Sequence, residues 1–160
     1  MAQVLTEQAI EPAVQAWTRL LRASASTTKL LSAELQEQHG LTISDYEALL
    51  VLSRAEEGRM KRVELARNLM LSPSGVTRLL QGLEDAGFVE RAACETDLRI
   101  TYAQLTDAGR AKLASAADGH VASVRALFEE HFGNEELRAL AEILGKLPGV
   151  ADGDDSCTPD

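Results

Sequence analysis

The chain has 160 residues, 45% hydrophobic but only 4% aromatic, so its apolar content is mostly Leu, Ala and Val, which favours helix-on-helix packing over a β-sandwich. The formal net charge of −9 argues at first against nucleic acid, yet Arg59 to Arg110 holds eight basic and seven acidic residues, while the remainder holds eight basic and eighteen acidic. No apolar run is long enough to span a membrane, MAQVLTEQAI lacks the basic and apolar regions of a secretory signal, and Cys94 and Cys157 fit no disulfide or metal spacing, so a cytoplasmic protein without membrane contact is expected.

In chain order, Pro12 suits a first helical turn, and Ile10, Val14, Trp17, Leu21, Thr28, Leu31 and Leu35 recur at helical steps. One long amphipathic helix is predicted from about Glu11 to Gln38, ended by Gly40. Its apolar stripe is too long for a small head to cover, which points to a second long helix or a second chain. Ser44 and Glu47 have the spacing of a capping box, and Ala48, Leu49, Leu52 and Ala55 give a short helix broken at Glu56-Glu57-Gly58.

Another short helix is predicted over Lys61–Leu69, then a tight turn, Met70-Leu71-Ser72. Ser72-Pro73 reads as an N-cap followed by Pro at the first helical position. The helix so started carries Val76, Leu79, Leu80 and Leu83 on one side and stops at Gly87. The apolar period then shortens, and Phe88–Ala92 and Ile100–Leu105 read as two strands around a polar loop. Thr106-Asp107 caps a second long helix running to about Phe132, and a last helix runs from Asn134 to Pro148. The acidic stretch from Gly149 is expected to be disordered.

Short helix, tight turn, capped helix and hairpin make a mainly α winged helix-turn-helix head, a three-helix core with a two- or three-stranded wing. The chain divides into an N-terminal helix over 1–40, this head over 41–105, C-terminal helices over 106–148 and the tail over 149–160. In such a head the second helix enters the major groove by its N-terminus. That assigns DNA contact to Ser72, Pro73, Ser74, Thr77, Arg78 and, one turn deeper, Gln81. Arg62, with Lys61, starts the preceding helix and either touches the backbone or is a solvated face. Arg99 at the wing tip suits a minor groove, and Asp97 suits holding Arg99 in place, because a carboxylate facing phosphate is repelled.

The run ELARNLMLSPSGVTRLLQGLEDAGFVER followed by TDLRITYAQLTDAGR resembles the MarR family of bacterial regulators. The pieces that carry the likeness are the ELA helix, the T-R-L-L-x-x-L-E-x-x-G-F-V-x-R segment, the D-x-R wing and the L-T-x-x-G-R re-entry. The resemblance implies a triangular homodimer joined through both terminal regions. It also implies a palindromic double-stranded operator, repression, and release by a small anionic or phenolic ligand or by oxidation. Many relatives carry two adjacent Arg in the wing, where this chain has Leu98-Arg99. Trp17, His39 and Tyr46 are candidates to line an effector pocket between the dimer region and the head, or else plain packing. Trp17, Glu47, Arg78 and Arg91 stand near the positions by which a urate-sensing subset binds its anion, although Glu47 also has its cap to explain it. Cys94 reads as an incidental thiol. A winged helix that binds protein and not DNA is the competing expectation. No nucleophile–base pair, phosphate loop, cofactor motif or metal cluster is legible, so no enzyme is expected.

Overall fold

The computed structural model describes residues 11–94 and 99–150. Asp97, Cys157, Ile10 and the tail beyond Val150 lie outside the described residues. The elements are α1 (Pro12–His39), α2 (Ile43–Arg54), a single 3-10 turn (Glu56–Gly58), β1 (Arg59–Lys61), α3 (Arg62–Asn68), α4 (Pro73–Asp85), β2 (Val89–Ala93), β3 (Thr101–Leu105), α5 (Asp107–Glu129) and α6 (Asn134–Leu144). The described strands form one antiparallel sheet in the order β1-β3-β2, with Val89 opposite Leu105 and Met60 opposite Ala103. The wing thus has a third strand. Three residues, Arg59–Lys61, are too short to show a period of two, and the sequence pattern assigns them partly to the helix that follows.

The core lies where α2, α3, α4 and the sheet meet, around Leu41, Tyr46, Leu49, Leu52, Leu65, Leu80, Val89 and Ala103, all buried. The C-terminal half of α1 and the first half of α5 close it through Leu31, Leu35, Leu113, Ala116 and Ala117. The N-terminal half of α1 does not join it: Trp17 is 62% exposed, and Val14 and Leu21 are exposed as well. No helix of the described residues is long and apolar enough to cross a membrane.

The cap of α2 differs from the sequence expectation. Thr42, not Ser44, is the N-cap: its hydroxyl accepts the Asp45 N–H at 3.1 Å, and the Asp45 carboxylate accepts the Thr42 N–H at 2.8 Å. Two overlapping boxes, T-x-x-D and S-x-x-E, compete here. The first wins because it places Leu41 just before the cap and Tyr46 one turn in, both buried, as a hydrophobic staple requires. Glu47 is therefore not a capping residue. The second long helix also stops earlier than Phe132, at Glu129, where the Phe128 carbonyl accepts from both His131 and Phe132.

The L-T-x-x-G-R re-entry is explained position by position. Leu105 is buried, and Thr106 caps α5 through the Gly109 N–H while its hydroxyl donates to the Gly87 carbonyl at 2.7 Å. The Thr106 N–H donates to the Phe88 carbonyl at 3.1 Å. A Cβ at Gly109 would drive into that same Phe88 oxygen. The Arg110 guanidinium fills the space a Cβ at Gly58 would need, and Gly58 has a φ of +67°. The first turn of α5 is thereby fixed to both the end of α4 and the turn before β1.

Candidate nucleic-acid interface

Helix α4 is positioned by its apolar side, where Val76, Leu80 and Leu83 are buried. The opposite side, Ser74, Thr77, Arg78, Gln81 and Asp85, is exposed as one stripe. Its leading end is organised by short polar side chains. The Ser72 hydroxyl accepts the Gly75 N–H at 3.1 Å and lies 3.1 Å from the Ser74 hydroxyl. The Thr77 hydroxyl donates to the Pro73 carbonyl at 2.8 Å. Pro73 has no N–H and the Gly75 N–H is taken by Ser72, so in the first turn this end offers the Ser74 N–H and the positive end of the helix dipole.

The turn from α3 into α4 is tight. Met70 adopts a left-handed φ of +51° and is 79% exposed, while the Leu71 N–H donates to the Ala66 carbonyl at 2.9 Å. Arg78 makes no ion pair among the described residues, so its guanidinium is not committed to the fold. Arg62 is half-buried at the start of α3 and likewise unpaired among them. Arg67, exposed on the same helix, is a third such cation, and sequence reasoning passed it over because nothing in its spacing sets it apart. Gln81 donates its amide to Asp85 at 2.8 Å. Arg99 is exposed just before β3, on the far side of the hairpin loop from Cys94. The Cys94 N–H donates to the Ile100 carbonyl at 3.2 Å, closing the hairpin below the loop.

The candidate effector residues are only partly brought together. His39 and Tyr46 converge on α5: a Cβ at Gly119 would lie 3.5 Å from His39 Nε2, and the Tyr46 ring packs at a tilt on His120, centroids 4.6 Å apart. Glu47 lies on the outer side of α2, where partial desolvation still raises its carboxyl above the ordinary carboxylate range. Trp17 is far along α1 from His39, about 33 Å at 1.5 Å per residue. Arg91 is held on the head by Glu84, its Nε donating to both carboxylate oxygens at 2.9 and 3.1 Å. No sequence signal pairs Glu84 with Arg91, since the chain reverses direction between them. An open groove of about 690 Å³ runs along α1, bordered by Leu21, Thr28, Lys29, Ser32, Gln36 and Thr42.

The sequence pattern of the MarR family matches residues 39–100. A transcriptional repressor of Bacillus subtilis, YetL, is 32% identical over 108 residues, covering 68% of this chain, which spans 64% of that protein's length. Among solved structures, AbsC of Streptomyces coelicolor, a MarR family regulator, is 36% identical with a TM-score of 0.75, over 84% of this chain and 91% of that one. Sco3205 of the same organism, a MarR family regulator solved in complex with DNA, is 29% identical with a TM-score of 0.77, over 84% of this chain and 85% of its own. With the winged head, the order of elements and the sequence all agreeing, the chain belongs to the MarR family of transcriptional regulators.

Proposed function

We propose that this DNA-binding transcriptional regulator works as a homodimeric repressor on a palindromic operator, with α4 in the major groove and Arg99 in the minor groove. The observation that carries the reading is the exposed stripe of α4 beginning at a Ser-Pro cap, with Arg78 uncommitted at its leading end. The relatives favour DNA binding over a protein-only module: YetL is named a repressor, and Sco3205 was solved with DNA. Such a role belongs in the cytoplasm. A second copy is supported by what one chain leaves uncovered. Among the described residues, α6 buries none of its own, and Val14, Trp17, Leu21, Ile143 and Leu147 all stand exposed. A small anionic or phenolic effector suits the groove beside Lys29.

The test is a mobility shift with the DNA upstream of the protein's own gene, over a series of salt concentrations. Arg78→Ala is expected to weaken binding and relax base preference. Arg99→Ala is expected to weaken all sequences alike and lower the salt slope by about 1. Unchanged affinity and salt slope for both variants would remove the DNA assignment. Thermal shift with small aromatic acids, read beside release of bound DNA, tests the effector.

A further inference from the structure

We infer that Asp85 is a positioning residue that sets the polarity with which Gln81 reads a base. The inference rests on α4 being the groove-entering helix. Gln81 and Asp85 lie one turn apart on the exposed stripe that also holds Ser74, Thr77 and Arg78. The Gln81 Nε2 donates to the Asp85 carboxylate at 2.8 Å. A carboxylate only accepts hydrogen bonds, and a glutamine amide carries its donor and acceptor on opposite sides. The amide therefore cannot flip without losing the bond. Nε2 is held toward Asp85, one turn nearer the C-terminal end of α4, and Oε1 is the atom left to accept from a base.

A free glutamine can present either side to a base edge. A glutamine whose Oε1 is fixed toward the base, with one Nε2 hydrogen already taken by Asp85, favours bases that donate. In the major groove those are adenine, through its N6 amine, and cytosine, through its N4 amine, while guanine and thymine show only acceptors at O6, N7 and O4. Asp85 has a second effect of opposite sign. It sits on a face meant for phosphates and repels them, and among the described residues no Lys or Arg pairs with it. Such a carboxylate weakens overall affinity while sharpening choice, which is how discrimination by an unfavourable element works.

The experiment is selection of bound duplexes from a randomised pool by the full-length protein and by its Asp85→Ala, Asp85→Asn and Gln81→Ala variants. The wild type is expected to favour adenine or cytosine about tenfold at one position of each half-site. All three variants are expected to lose that preference at the same position while keeping the rest of the profile. Both Asp85 variants should bind random DNA as tightly as the wild type or more tightly, an outcome that a purely structural role for Asp85 would not give. The proposal is overturned if the Asp85 variants keep the wild-type preference, or if they lose preference evenly at all positions. A wild type that selects no sequence at all overturns the DNA reading itself, and this proposal with it.

Discussion

Gly109 on α5 and Gly82 on α4 have surroundings that give them opposite roles. Gly109 is buried in the first turn of α5, where a Cβ would meet the Phe88 carbonyl oxygen and lie 2.7 Å from Leu105 Cδ1. Gly82 faces outward on α4 with nothing within 4 Å of a Cβ. Gly109→Ala is expected to cost about 3 kcal/mol in urea denaturation, because backbone must move to admit it. Gly82→Ala is expected to stabilise by about 0.5–1 kcal/mol, the ordinary penalty of a helical glycine removed. The sequence marks Gly109 only as a letter in a motif. The close approach that demands it depends on where residue 88 lies, and no local pattern encodes that.

His120 belongs to the same scale. It is buried against Tyr46, its Nδ1 has no hydrogen-bond partner among the described residues, and burial lowers its pKa from the ordinary 6.5, with Glu34 pulling the other way. A histidine whose folded pKa is depressed takes its proton more readily when the chain is unfolded. Stability is then whole above about pH 6.5 and falls as the pH drops from there toward the folded value. Glu47, raised by desolvation, contributes with the opposite sign at lower pH. The melting temperature of the wild type is expected to fall more steeply than that of His120→Phe between pH 7.5 and 5.5. Parallel curves would show that His120 does not carry the dependence.

Among elements, the joint between α4 and the wing bears directly on the proposed reading of DNA. Glu84 is on α4 with a side chain only 15% exposed, and Arg91 is on β2. The Arg91 Nε–H, shared between both Glu84 oxygens, ties the strand that leads into the wing to the helix proposed to enter the groove. A double-mutant cycle with Glu84→Gln and Arg91→Ala is expected to give a coupling of about 0.5–1 kcal/mol, modest because Arg91 is half open to water. Arg91→Ala is further expected to weaken operator binding while leaving base preference intact, as measured by a mobility shift and by site selection. Lost preference would mean that Arg91 itself reads bases. At this scale the sequence was readable wherever an element is long or capped: α1, α4 and α5 follow from apolar period, Ser72-Pro73 and Thr106. It misled at α2, where two capping boxes overlap, and was silent at β1, whose three residues form a strand only because β3 lies beside them.

For the whole molecule, the question is what covers the long helices. Among the described residues, the outer half of α1 is largely exposed and α6 buries none of its own, so substitutions there should spare the fold and break the proposed assembly. Leu21→Arg combined with Ile143→Arg is expected to shift the proposed dimer to monomer in sedimentation equilibrium, with the circular dichroism spectrum unchanged. Operator affinity should fall with it, because one head engages only one half-site. A dimer that survived both charges would place the interface elsewhere.

The sequence by itself determined the order of the helices and of the hairpin strands, the polar leading end of α4 and the concentration of acidic charge outside the middle of the chain, because caps, periodicity and composition are local properties. Tertiary structure decided which side chains are committed. It drew Arg91 to Glu84, turned Gln81 toward Asp85, freed Glu47 from a cap by giving that task to Thr42, and left Trp17 far from His39 on the same helix. Those outcomes depend on packing between segments distant in the chain, or on which of two local options buries more apolar surface. The surface proposed to read DNA is one exposed stripe of α4, whose reach is governed by the residues that hold it.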